Sequence, residues 1–246
     1  AVREPGTFPT AKVFEGFDFA GDGYDASGAL GSASPSLDDD PLECNRVPAG
    51  ATPPPYMGQG THVAGLLAGF GVTSSGATYT GPYPAPADAP PMNVSPGLAP
   101  EARLLALKVF GCRGSTTLLT AAIERALDPN RDGSMADHVD VLVITLGTPF
   151  GSPDDPDALA VDAAVRAGVV VVVAAGDRLN TFYSVNSPAS ARLAIAVGAT
   201  TNGDQISAGW GGGAARGNQR LKAAVVAPGQ SIPSAGVGSG VGAVAM

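Results

Sequence analysis

The chain has two cysteines, two histidines and one tryptophan among 246 residues. Its longest unbroken apolar run, Val169 to Ala175, is far too short to span a bilayer. Positive charge is scarce: Lys plus Arg number 14 against 22 for Asp plus Glu, a net charge of -8. Such a surface repels phosphate backbones, which excludes nucleic acid as an expected partner. No basic region followed by an apolar segment opens the chain, so a signal peptide is not expected in it, although a processed secreted chain would look the same. Nucleotide fingerprints are missing as well. No G-x-x-x-x-G-K-[ST] occurs, and Gly236 to Gly242 (GVGSGVG) places Val241 where a dinucleotide loop needs its third glycine. No helix that could hold a pyrophosphate follows it.

What remains is ample for a core. Apolar residues make up 44% and charged residues 15%, the balance of a folded globular domain. Gly 34 and Pro 22 predict many tight turns and long loops. Cys44 and Cys112 are open to two readings, free buried thiols or one disulfide. Low lysine content, Gly/Pro/Ser-rich loops and an even cysteine count tilt toward a secreted chain with one disulfide.

The chain reads as one domain over 1–246, with long loops at about 20–57 and 71–97. Lys12 to Phe19 (KVFEGFDF) alternates as a strand, with Val13, Phe17 and Phe19 apolar. Small and apolar residues at helical spacing from Thr61 (THVAGLLAGF) predict a helix packed close to a sheet. Strand and helix then alternate. Strands are expected at Arg103–Phe110, His138–Leu146, Val169–Ala175, Leu193–Val197 and Lys222–Val226. Helices are expected at Thr117–Leu127 and Pro156–Ala167. Val169–Ala175 is apolar on both faces, as a parallel sheet requires. The pattern predicts an α/β fold: a doubly wound, mostly parallel sheet with helices on both faces. Ligands of such sheets bind beyond the carboxyl ends of the strands, so the loops after Phe110, Leu146 and Ala174 are the ones to read for function.

Asp128 to Asp137 (DPNRDGSMAD) places Asp128, Asn130, Asp132 and Gly133 at positions one, three, five and six of an EF-hand-type loop. Val139 stands where the bidentate glutamate belongs, leaving Asp137 or Asp140 to complete the shell. The competing reading is an acidic turn at a helix end. Neither His62 nor His138 has a cysteine or carboxylate neighbour at metal spacing, and both read as structural. The carboxylates Asp154, Asp155, Asp157 and Asp177 invite a carboxylate-pair hydrolase reading, but solvated loop charges explain them better.

Gly58 to Gly65 (GQGTHVAG) resembles the histidine-motif region of subtilisin-like serine proteases, the subtilases. Further blocks follow in that family's order: Leu98 to Ala102 (LAPEA), Lys108 to Gly114 (KVFGCRG), Val141 to Gly147 (VLVITLG), and Val170 to Gly176 (VVVVAAG). After these come Pro188-Ala189 with Ala196 to Ala199 (AVGA), and Leu221 to Ile232 (LKAAVVAPGQSI). The DPNRDG loop and the cysteine positions resemble the large secreted members. That resemblance implies a Cys44–Cys112 disulfide, a structural calcium held by Asp128, Asn130, Asp132 and Asp137, and an extracellular protein made as a precursor. It also implies a peptide groove between Gly114-Ser115-Thr116 and Thr145-Leu146-Gly147, where a bound peptide pairs as an added strand.

The departures carry as much information. Gln59 occupies the position of the family's catalytic histidine, and His62 matches the motif's other, non-catalytic histidine. Asp177 occupies the position of the oxyanion asparagine. No residue before Lys12 matches the catalytic aspartate motif, and the serine motif GTSMA is expected after Val244–Met246, where the chain stops. Blocks are also eroded at Ser207 to Gly213 (SAGWGGG) and at Leu221 to Ala224 (LKAA). In the family the aspartate-bearing strand lies between those matching LLALKVF and VLVITL. Either these two pair directly here, or a second polypeptide fills the gap, because unpaired central edges are costly. The sequence therefore predicts a catalytically inactive subtilase-like domain, a scaffold or a peptide- or protein-binding module. The rival is part of a secreted serine endopeptidase whose Asp and Ser segments lie outside this chain.

Overall fold

A computed structural model describes residues 8–44, 57–84, 88, 90–177, 183–207, 213–218, 220–237 and 242–245. Most of Ser207–Gly213 and of the GVGSGVG stretch lies outside the described residues, as do Arg178–Asn180. The elements in chain order are β1 (Val13–Asp18), α1 (Gln59–Ala68), β2 (Val72–Thr73), β3 (Met92–Val94), β4 (Leu104–Lys108) and α2 (Leu119–Leu127). They continue with β5 (Val141–Ile144), α3 (Pro156–Ala167), β6 (Val170–Ala174), β7 (Ile195–Thr200), β8 (Gly213–Ala214) and β9 (Leu221–Lys222). The last three are β10 (Val225–Pro228), β11 (Pro233–Ala235) and β12 (Ala243–Ala245). The chain divides into two compact units, one of Ala1–Leu118 with Ser231–Met246 and one of Leu119–Gln230.

The Leu119–Gln230 unit holds a four-stranded parallel sheet in the order β10-β7-β6-β5. A run of valines favours β6 because branched Cβ atoms suit a pleated surface. Val171 and Val173 are buried, while Val170 at the strand's start is exposed. Burying each such valine contributes about 1.5–3 kcal/mol. Helix α3 follows an extended Asp155, has Pro at its start, and ends at Gly168 in the left-handed region (φ 112°). Its Ala158, Val161 and Ala164 join Ile123 of α2, Ile144 of β5 and Val171 and Val173 of β6 in one core. Asp162, buried on the same helix, accepts the Leu193 N–H at 2.8 Å and so ties α3 to the segment entering β7. The expected strand at Lys222–Val226 is split between β9 and β10. Between them Ala224 N–H bonds to Ala196 O at 3.1 Å, which leads the chain onto the edge of β7.

The other unit contains the parallel pair β1-β4 and two antiparallel ribbons, β2-β3 and β11-β12. The expected loop at 71–97 thus begins and ends in the short β2-β3 ribbon. Helix α1 packs on β11. Lys108, at the end of β4, donates to Asp18 and Asp22, each at 2.8 Å. Burial alone would lower the Lys108 pKa, but these two carboxylates outweigh it and raise it. Among the described residues β4 pairs only with β1 and β5 only with β6.

Candidate functional site

Gln59 is the first residue of α1 and is exposed. The N-cap, Gly58, adopts the left-handed conformation (φ 90°) and supplies no side-chain acceptor for the free N–H groups of the first turn. Glu43 does so from a distant loop. Its carboxylate accepts Gly58 N–H at 2.7 Å, Thr61 N–H at 2.8 Å and the Thr61 hydroxyl at 2.8 Å. The next residue, Cys44, is disulfide-bonded to Cys112 just beyond β4, with Cα atoms 5.5 Å apart. A covalent link to the end of β4 thereby positions the carboxylate that caps the helix bearing Gln59.

His62 faces the scaffold. It is buried, its Nε2 lies 2.8 Å from Ile232 O, and Ser234 Oγ donates to its main-chain carbonyl at 2.8 Å. A carbonyl only accepts, so this contact requires the Nε2–H tautomer. His138 is part-buried with Nδ1 3.0 Å from Val139 O.

Gly114, Ser115 and Thr116 form a turn organised by Asp25. Ser115 donates its N–H and hydroxyl to Asp25 Oδ1 at 2.8 and 3.0 Å, and Ala26 N–H donates to Ser115 O at 3.0 Å. Both main-chain groups of Ser115 are thus engaged within the loop. Gly114 has φ 92°, and any Cβ there would collide with the Asp25 carboxyl. Hydrogen bonds from Ser27, Ser115 and Leu30 hold the Asp25 carboxyl well below the usual carboxylate range.

Thr145, Leu146 and Gly147 continue from the carboxyl end of β5. Thr148 and Ser187 exchange main-chain hydrogen bonds, both 2.9 Å, which brings the segment before Pro188 against this end of the sheet. Asn186 sits there, 9% exposed, and its Oδ1 has no hydrogen-bond partner among the described residues. A Cβ on Gly147 would lie 3.0 Å from Asn186 Cβ, and one on Gly176 would lie 2.6 Å from its Oδ1. Asp177 follows Gly176 and is exposed.

The acidic loop brings Asp128, Asp132 and Asp137 together, with one oxygen from each within 4.8 Å of the others. Gly133 takes the left-handed turn (φ 82°) and donates to Asp128 Oδ2 at 2.9 Å. Asn130 Oδ1 accepts the Asp132 N–H at 2.8 Å. An all-oxygen set of this kind fits a hard cation such as calcium. Of the two candidates to complete the shell, Asp137 is the one in the cluster. The other acidic residues hold the scaffold: Asp154 pairs with Arg192 at 2.6 Å, Asp155 accepts Ser152 N–H at 2.7 Å, and Asp157 accepts the Thr120 hydroxyl at 2.6 Å.

Glu43 and Asn186 are the residues that sequence reading missed. Glu43 directly precedes Cys44, and Asn186 lies two residues before the Pro188-Ala189 block.

A family model described as the Subtilase family matches residues 34–244. The chain is 31% identical over 189 residues to the minor extracellular protease Vpr of Bacillus subtilis, covering 76% of this chain and 18% of that protein. It is 33% identical over 217 residues to an extracellular serine proteinase of Thermus sp., covering 87% of this chain and 38% of the relative. Serine protease AprX of Bacillus subtilis is 33% identical over 156 residues, covering 61% and 31%. The chain thus spans well under half the length of these relatives. A solved structure of a mutant of the protease domain of PatA superimposes with TM-score 0.54 at 27% identity, covering 81% of this chain and 62% of that one. Among the described residues no helix is long and apolar enough to cross a membrane. With the ordered motifs, the parallel α/β sheet and these matches in agreement, the chain belongs to the subtilase family.

Proposed function

We propose that this domain is a subtilase scaffold without peptidase activity of its own, which binds extended peptide or protein segments. The observation that carries the reading is Gln59 at the head of α1, where the family places its general base. A serine hydroxyl becomes a competent nucleophile only when a neighbour takes its proton. A carboxamide cannot take it at neutral pH, and His62 is committed to Ile232 O. Asp177 compounds the loss, because a carboxylate at the oxyanion position opposes the charge that develops on the tetrahedral intermediate. Loss of one oxyanion donor alone costs about 10²–10³ in rate. Thr145–Gly147, beyond the carboxyl end of β5, is a segment offered to an extended peptide by strand pairing, and so are Gly114 and Thr116, whose neighbour Ser115 has its own main-chain groups engaged within the loop.

The reading extends to an extracellular protein with a calcium ion on the Asp128–Asp137 loop and a second polypeptide strand on the open edge of β4 or β5. The words "extracellular" in the names of two relatives and the Cys44–Cys112 disulfide support the compartment. The chain's short coverage of its relatives favours a second reading, part of an active secreted endopeptidase whose Asp and Ser segments lie elsewhere.

One experiment separates the two. The native protein, with any chains that co-purify, is treated with a fluorophosphonate probe, and Gln59→His/Asp177→Asn is tested beside it in a form extended at both ends. The scaffold reading expects no labelling of the unaltered folded protein. Labelling of the unaltered protein, with peptide cleavage, overturns it in favour of the endopeptidase.

A further inference from the structure

We infer that the Cys44–Cys112 bridge is a redox-sensitive clamp: its reduction by a dithiol releases Glu43 from the N-terminus of α1 and loosens the turn that opens with Gln59. The inference goes beyond the scaffold reading and does not depend on whether the domain binds a peptide.

Helix α1 draws its cap from elsewhere in the chain. Gly58 at the N-cap has no side chain to offer, and the first turn contains no acidic residue. The N–H groups there have no partner within the helix. Glu43 accepts those of Gly58, Gly60 and Thr61 at 2.7, 3.4 and 2.8 Å, together with the Thr61 hydroxyl at 2.8 Å.

The bridge is what holds Glu43 in place. Among the described residues no hydrogen bond engages the main chain of Glu43 or Cys44. The last one before them, from Leu42 N–H to Asp40 Oδ1, is 3.3 Å long. Cys112, in contrast, is anchored without the bridge: its N–H donates to Asp22 O at 2.9 Å, and it lies shortly past the end of β4. Cutting the bridge therefore frees the Glu43 side and leaves the Cys112 side where it is.

The sulfurs can be reached. Both cysteines are half-buried, and Cys44 Sγ lies 3.4 Å from Oδ1 of the exposed Asp22. An incoming thiolate attacks one sulfur, the S–S bond breaks, and a mixed disulfide forms. The second thiol of the reductant then displaces the cysteine. The reductant leaves as its own disulfide, having given two electrons and two protons, and Cys44 and Cys112 remain as thiols. A thiol-rich compartment thus opens the clamp and an oxidising one closes it.

The test is native-state hydrogen exchange on the intact protein, oxidised and after treatment with dithiothreitol. Reduction is expected to speed exchange at the Thr61 amide about tenfold, within the range that loss of a helix cap produces. Reoxidation should restore the slow rate. The Phe19 amide donates to Lys108 O at 2.9 Å in the same unit, and its exchange should stay within about twofold. In Glu43→Ala, reduction should add nothing further at Thr61. Unchanged Thr61 exchange on reduction, equal acceleration at Thr61 and Phe19, or the same acceleration in Glu43→Ala as in the unaltered protein overturns the clamp. The Phe19 comparison needs no variant, so it carries the test if Glu43→Ala fails to fold.

Discussion

Replacing Glu43 by alanine should loosen the first turn of α1 without disturbing the Leu119–Gln230 unit. The carboxylate accepts three main-chain N–H groups, Gly58 at 2.7 Å, Thr61 at 2.8 Å and Gly60 at 3.4 Å, together with the Thr61 hydroxyl. Loss of a good N-cap costs about 0.5–2 kcal/mol. A negative charge at a helix N-terminus adds about 0.3–1 kcal/mol. Gln59 and Gly60 are exposed, so water recovers part of the loss, whereas Gly58 is buried and recovers little. The sum is about 2 kcal/mol for Glu43→Ala. Glu43→Gln should cost about half as much, since one acceptor oxygen survives and the other becomes a donor. Native-state hydrogen exchange reads this locally, even where two units unfold separately. A loss of about 2 kcal/mol corresponds to roughly 30-fold faster exchange at the Thr61 amide. The Asn186 amide, in the other unit, should be unaffected and serves as internal control. Thr61 exchange in Glu43→Ala within twofold of the unaltered protein would refute the capping argument.

The Cys44–Cys112 bridge closes a separation of 68 residues, so Cys44→Ser/Cys112→Ser should lower stability by about 4 kcal/mol in the chain-entropy account, measured by denaturant unfolding without reductant. Calcium should raise the thermal midpoint and release heat on titration, and Asp128→Asn should remove both effects. A chelator that leaves the midpoint unchanged, with no heat on titration, counts against the site. The depressed Asp25 carboxyl stabilises the fold above the ordinary aspartate value near 4, and that contribution is lost as pH falls through its folded value. An acid titration followed by circular dichroism should therefore show a steep fall below about pH 4. In Asp25→Asn the fall should be shallower, from a lower plateau at neutral pH.

The elements legible in sequence were those whose signal is local. Pro156–Ala167 carries its own start in Pro156 and its own stop in Gly168, and the helix has those bounds. Val170–Ala174 needed only its run of branched residues. Lys222–Val226 misled because a continuous apolar stretch does not reveal where hydrogen bonding passes from β8 to β7, which is decided by partners more than twenty residues away in the case of Ala196. The same distinction governs the site. Gln59 and Asp177 could be read because each interrupts a contiguous motif. Glu43 and the packing of Asn186 could not, since both arise from residues remote in the chain: Thr61 for one, Gly147 and Gly176 for the other. Glycines at 147 and 176 read as ordinary turn residues until Asn186 is seen against them. Gln59 and Asp177 both stand at exposed positions. The core cluster of the Leu119–Gln230 unit is built from other residues, so the subtilase fold does not depend on what stands at these two positions.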